Sequence, residues 1–146
     1  MPSGEDETVG ERTITLDLAP PNSVILVMDR EAGQPPETMG DGLAVATRSC
    51  VAIGTLCEVD GTTSVAFTSG PEASHKRAGM KQAFDGLIAT PSREVHLCTT
   101  ALESVAKLPV SATMARVRVW ANHESEPDHV LILITAAGEP SRARQR

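Results

Sequence analysis

Aromatic side chains are nearly missing from this chain: Phe67, Phe84 and Trp120 are all there is, with no tyrosine, 2% of 146 residues. Its core must therefore be built from Val, Ile, Leu, Ala and Met, and its surface offers few rings on which bases can stack. Single-stranded nucleic-acid binding leans on such rings, each worth about 1–3 kcal/mol per base, so that class is disfavoured. Positive charge is not in excess either. The formal net charge is −6, whereas proteins that grip a phosphate backbone concentrate Lys and Arg on one face. No stretch approaches the roughly 18 consecutive apolar residues of a membrane span, and the opening Met-Pro-Ser-Gly-Glu-Asp is not an apolar signal segment. Cysteine is scarce and odd in number, at Cys50, Cys57 and Cys98, which argues against a disulfide framework and for a reducing compartment. The expectation is a soluble cytoplasmic protein whose partner is neither nucleic acid nor membrane.

What is present is two-residue alternation punctuated by Gly and Pro. The length suits one domain burying roughly two-thirds of its unfolded surface. Residues 1–11 read as an acidic tail (Glu5, Asp6, Glu7, Glu11), 12–135 as the domain, and 136–146 as a basic tail (Arg142, Arg144, Arg146). From Thr13 to Leu18, Ile14, Leu16 and Leu18 alternate with Thr13, Thr15 and Asp17, the signature of a half-buried strand. Val24 to Met28 is apolar at every position, as is Val130 to Ile134, so these strands are expected to be covered on both faces. Asp29 to Gly42, with two prolines and three glycines, reads as a long acidic loop.

Leu43 to Val59 reads as two short strands meeting near Arg48 and Ser49, or as one bent strand. Asp60-Gly61 is a type I′ hairpin dipeptide, and a two-residue turn there would set Leu56 opposite Val65 and Gly54 opposite Phe67. Residues 73–83, holding Ser74, His75, Lys76, Arg77 and Lys81, are balanced between a short helix and an irregular crossing loop. Phe84 to Thr90 and Arg93 to Thr99 suggest a second hairpin about Pro91-Ser92. Pro109 confines Val105 to Val110 to a sheet edge. In Met114 to Asn122, Ala115, Val117, Val119 and Ala121 face one way, and Met114, Arg116, Arg118 and Trp120 the other. Eight or nine short strands with no repeat predict an all-β fold, mainly an antiparallel β-sandwich, with at most one short helix around 73–83.

The run Phe84-Asp85-Gly86-Leu87-Ile88-Ala89, then Thr90-Pro91-Ser92-Arg93-Glu94-Val95, Arg116-Val117-Arg118-Val119-Trp120-Ala121 and Val130-Leu131-Ile132-Leu133-Ile134 resembles a group of uncharacterised bacterial β-sandwich proteins. Gly42 to Thr47 and Val51 to Thr55 look like the group's earlier strands, and the likeness spans about residues 12 to 135. Phe84 stands where that group usually has Trp, Ala115 replaces an aromatic, and a terminal aromatic-Pro is absent. The group is in turn distantly similar to the competence-nuclease inhibitor family, small acidic β-sandwiches that bind and block an enzyme. The resemblance implies an inhibitor or immunity-type role. Its motifs describe strands rather than a site.

No motif fixes a reaction. Cys57, His96, Cys98 and His129 are a weak zinc set, because the paired Cys-x₂₋₄-Cys knuckles of structural sites are absent and buried Cys commonly serves as a small apolar residue. Cys98 with His129 is a conceivable nucleophile and base, without the strained nucleophile turn that would support it. Gly40-Asp41-Gly42 and Gly54 build no phosphate loop, since no strand-to-helix junction with Lys-Ser/Thr follows. Asp29 with Glu31 and Glu124 with Glu126 read as solvated loop carboxylates. Two surfaces remain as candidate partner-binding sites: the acidic loop, through Asp29, Glu31, Glu37 and Asp41, and the sheet face bearing Arg116, Arg118 and Trp120, residue types enriched at binding hot spots. The first function read from the sequence is thus a non-enzymatic module that binds another protein and needs no cofactor. The alternatives are a small Cys/His-dependent or zinc-dependent hydrolase, and a structural homodimer joined through sheet edges or the apolar last strand.

Overall fold

The computed structural model describes residues 12–39, 42–69 and 79–137. Among them ten strands form two five-stranded sheets. The first sheet runs β1 (Arg12–Leu18), β5 (Thr63–Ser69), β10 (His129–Ala136), β9 (Met114–Ala121), β6 (Lys81–Ala89). The second runs β3 (Ala44–Ala46), β4 (Cys50–Gly54), β2 (Val24–Asp29), β7 (Glu94–Thr99), β8 (Ser104–Pro109). Every pairing is antiparallel except β5 with β10. The all-β expectation holds.

Alternation explains why the sheets stack. Ile25, Val27, Val51, Ile53, Val95 and Leu97 point inward from the second sheet and meet Val65, Phe67, Val117, Val119, Val130 and Ile132 from the first, all at most 1% exposed. Each such side chain contributes roughly 1.5–3 kcal/mol on burial, so the register of every central strand is strongly held. The two uninterrupted apolar strands, β2 and β10, are central in their sheets and covered on both faces, as their sequences require. Behind the second sheet Leu26, Met28, Cys50, Ala52 and Cys98 pack under Met39 of the β2–β3 connection. Behind the first, Trp120, Leu131 and Leu133 pack with Ala66 and Met80. The Pro109 strand is an edge, and β3 and β4 form the expected pair turning at Thr47–Ser49.

Two hairpins expected from local turn chemistry do not form. β4 lies in the second sheet and β5 in the first, so Gly54 is not opposite Phe67, nor Leu56 opposite Val65. Instead the chain makes a 3-10 turn at Glu58–Asp60, and Gly61, at φ 141°, redirects it. The physical reason is packing. Val51 and Ile53 must face Val65 and Phe67 across the core, and a tight hairpin would hold them side by side in one sheet. The Pro91-Ser92 turn does exist, closed by Arg93 N–H to Thr90 carbonyl at 2.9 Å. It carries the chain from β6 in the first sheet to β7 in the second rather than joining paired strands. Of the helix candidate at 73–83, Lys81 to Ala83 begin β6, and residues 73–78 lie outside the described residues. No helix among the described residues is long and apolar enough to cross a membrane.

Candidate partner-binding site

Strand direction gathers four connections at one end of the sandwich: β1–β2, β4–β5, β7–β8 and β9–β10, beside the starts of β3 and β6. They brace one another. Thr55 N–H bonds the Ser23 carbonyl at 2.8 Å and Leu56 N–H the Pro127 carbonyl at 2.9 Å. Asn22 donates its side-chain amide to Thr100 Oγ1 at 2.9 Å and its backbone N–H to Glu58 Oε1 at 3.2 Å. Asp17, Glu58, Asp60, Glu103, Glu124, Glu126 and Asp128 all sit at this end and are all exposed. Among the described residues there, Lys81 is the lone Lys or Arg.

The β9–β10 connection is held rigidly, which fixes where Glu124 and Glu126 project. Asn122 Oδ1 accepts the N–H groups of Asp128 and His129 at 3.1 and 3.2 Å, and its amide donates to Asp128 Oδ1 at 2.7 Å. His123 Nδ1 accepts from the N–H of Ser125 and of Glu126 at 3.1 and 3.0 Å. The Asn122 amide, with His129, lowers the Asp128 pKa below its ordinary value, keeping it charged. Two clefts open between this connection and Leu43. One, of about 530 Å³, is lined by Leu43, Ala83 and Ala121 and by the polar Lys81, Gln82, Asn122, His123 and Glu124. The other, of about 290 Å³, adds Met39, Gly54, Cys57 and Glu126 and shares Leu43 and Glu124 with the first. The arrangement is a pair of clefts with mixed polar and apolar walls and the carboxylates of Glu124 and Glu126 on their rim, suited to the stems and heads of basic side chains.

The opposite end carries Arg12, Arg30, Arg48 and Arg93, all exposed, with Glu31 and Glu94 paired to Arg30, so it lacks the one-sided negative charge of the acidic end. The acidic loop read from the sequence starts at this arginine-bearing end. Asp29 is fully buried: Oδ2 accepts from the N–H of Glu31 (2.8 Å) and Ala32 (2.7 Å), and Oδ1 from the N–H (3.1 Å) and hydroxyl (2.8 Å) of Ser92. Burial by itself raises its pKa. The bonds from Ala32, Ser92 and Glu31 outweigh that, and the net direction is down. Asp29 therefore ties two turns together, and the loop's solvent-facing charge comes from Glu31, beside Arg30, and from Glu37, which lines a cleft with Val24, Leu26 and Thr100. Asp41 lies outside the described residues.

On the other candidate face, Arg116 makes a two-pronged pair with Asp85, Nε–Oδ1 at 2.8 Å and Nη2–Oδ2 at 2.6 Å, and this hydrogen bond lowers the Asp85 pKa. Trp120 is 8% exposed, packed on Leu131 and Leu133, with the Arg118 guanidinium 5.9 Å from its ring centre. These residues spend their contacts within the fold.

Cys57, His96, Cys98 and His129 are not brought together. Cys98 and His96 share the outer face of the second sheet, where His96 bonds Ser104 Oγ at 2.6 Å and Glu94 at 3.2 Å. His129 is on the first sheet against Asp128 at 3.0 Å, and Cys57 is in the β4–β5 connection. Among the described residues no group of three His, Cys, Asp or Glu is placed to hold a metal ion. Burial, with the neighbouring Cys98 thiol, pushes the Cys50 pKa up to about 12, and burial raises that of Cys98, so both are thiols at neutral pH.

The sequence reading passed over Glu58, Asp60, Glu103 and Asp128 and took Glu124 and Glu126 as plain loop solvation. The signal was there, in that the β4–β5, β7–β8 and β9–β10 connections each carry acidic residues, but it has meaning only once strand direction is known.

No family model matches the sequence, and no curated protein matches it. Two solved structures are similar. One is ComJ from Bacillus subtilis, inhibitor of the DNA degrading activity of NucA, at 11% identity and a TM-score of 0.53, over 86% of this chain and 96% of that one. The other is the product of crocagin biosynthetic gene J, at 14% identity and a TM-score of 0.53, over 88% and 99%. The alignments run nearly end to end, and the resemblance drawn from the strand motifs is borne out as a shared fold: this chain is a distant structural relative of ComJ.

Proposed function

We propose that this protein is a non-enzymatic protein-binding module of the inhibitor type, docking its acidic end onto a basic surface of another protein. One observation carries the reading: Glu124 and Glu126 rim two clefts at an end of the molecule that holds five further exposed carboxylates, against a single lysine among the described residues. A rim of one sign focuses its field and steers a partner of opposite sign, raising association rates by about 10- to 1000-fold at low salt. Enzymes that act on polyanions carry such basic surfaces, because they must hold phosphates. The inhibitor role of the structural relative ComJ supports this class of partner.

The test is charge reversal. Wild-type protein and the triple variant Glu58→Lys, Glu124→Lys, Glu126→Lys are each used to capture partners from cell extract, and association with the captured protein is timed by stopped flow across a salt series. The wild type should associate fast and lose rate steeply with salt, and the variant should be slower by about tenfold or more in low salt. Equal rates in low salt would defeat the proposal.

A further inference from the structure

A sheet edge invites pairing with another chain unless it is short, bulged, charged or interrupted by proline. Among the described residues the four edges of this sandwich are β3, β8, β6 and β1. β3 has three residues. β8 carries Lys107 and Pro109 and a register break opposite Leu97 and Cys98. β6 carries Lys81, Asp85 and Gly86 and breaks register between Gln82 and Phe84. β1 is the least protected: it is neither short, bulged nor broken by proline, and its only charged residues, Arg12 and Asp17, lie near its two ends. Its seven residues keep unbroken register with β5, from Arg12 against Ser69 to Leu18 against Thr63. It contains no Pro, Gly or Lys, and its inward residues Ile14, Leu16 and Leu18 are apolar yet only half-buried. On β5, one strand further in, Val65 and Phe67 are fully buried.

We propose that β1 is a self-association edge, pairing antiparallel with β1 of a second copy about a two-fold axis at Thr15. That register sets Ile14 against Leu16 of the second copy, Thr13 against Asp17, and Thr15 against itself. Inward residues stay inward, so the half-buried aliphatics of both copies cover one another. A shift by one residue would set Ile14 against Thr15 and turn apolar side chains to solvent.

The self-complementary register points to a second copy as the occupant, and charge sets the direction of pairing. β1 runs from the arginine-bearing end to the acidic end, so antiparallel pairing lays Arg12 of each copy beside the end of the other that holds Asp17, Glu58 and Asp60. Parallel pairing would bring the two acidic ends together. The last strand, the other dimer edge considered from sequence, is excluded because β10 lies between β5 and β9. The proposal does not depend on the role of the acidic end.

The full chain should show a concentration-dependent monomer–dimer equilibrium in sedimentation velocity, since one strand pair is a small interface. Thr15→Lys puts like charges directly opposite and should weaken the dimer by about fivefold. Thr15 is exposed on the outer face, so the variant keeps the monomer's melting temperature. In a Cys57→Ser background, Thr15→Cys should form a disulfide-linked dimer under mild oxidation about tenfold faster than Thr13→Cys, because only the position on the axis meets its own copy at bonding distance. A wild type that stays monomeric throughout overturns the proposal and leaves the edge to a strand of a different protein. Cross-linking of Thr13→Cys as fast as Thr15→Cys overturns the register and with it the argument.

Discussion

Removing the buried carboxylate of Asp29 is the sharpest test of how the loops at the arginine-bearing end are held. Asp29→Ala deletes four bonds, from the N–H groups of Glu31, Ala32 and Ser92 and from the Ser92 hydroxyl. Bonds to a charged group contribute about 1.5–3 kcal/mol each when nothing replaces them. Glu31 and Ala32 are exposed, however, so water takes over part of the work, and the loss should be about 3 kcal/mol rather than the sum. For a chain of this size that is a fall in melting temperature of about 10 °C, read through Trp120 fluorescence or calorimetry. Asp29→Asn should lose about half as much, since an amide nitrogen cannot accept. The pH dependence has a definite sign. The folded-state pKa of Asp29 is lowered from 3.8, so its contribution is present above that value and is lost as pH falls through the folded pKa. The gap between wild type and Asp29→Asn should be constant from neutral pH down to about pH 5 and shrink below about pH 4. A melting temperature within about 3 °C of wild type for Asp29→Ala, or a gap that widens in acid, would refute the reasoning.

Other outcomes follow from the packing. A Cβ on Gly86 would lie 2.7 Å from Phe84 Cζ, so Gly86→Ala should cost about 1–3 kcal/mol in urea denaturation, and Phe84→Leu should relieve part of it in a double-mutant cycle. Phe67→Ala removes the largest fully buried side chain and should cost about 3–5 kcal/mol. The coupling between Arg116 and Asp85, both partly exposed, should not exceed about 1 kcal/mol in a double-mutant cycle despite its geometry. Trp120 should emit at short wavelength and resist acrylamide quenching in the native state, because it is buried behind the first sheet; a solvent-like emission would show that face to be open.

The strands were legible because their periodicity is a property of the covalent chain. Ile14, Leu16 and Leu18 alternate with polar residues, and Val24 to Met28 and Val130 to Ile134 do not, which marks one edge-type and two central strands before any coordinate is known. The hairpins at Asp60-Gly61 and Pro91-Ser92 were misread for a physical reason. Turn chemistry reports that the chain reverses, but not whether the reversal stays within a sheet or crosses between two.

The candidate site was legible only in pieces. Glu58, Glu103 and Glu124 are 45 and 21 residues apart along the chain, and no local pattern links them. Composition and alternation by themselves determined that this is an all-β sandwich with an aliphatic core, since side chains two residues apart on a strand share a face and only apolar ones can line a buried face at low cost. Only the tertiary structure decided that Asp29 is buried among turns, that Trp120 is covered behind the first sheet, and that the acidic connections meet at one end. Those outcomes depend on strand direction and sheet membership, which long-range packing settles and no short stretch of sequence contains.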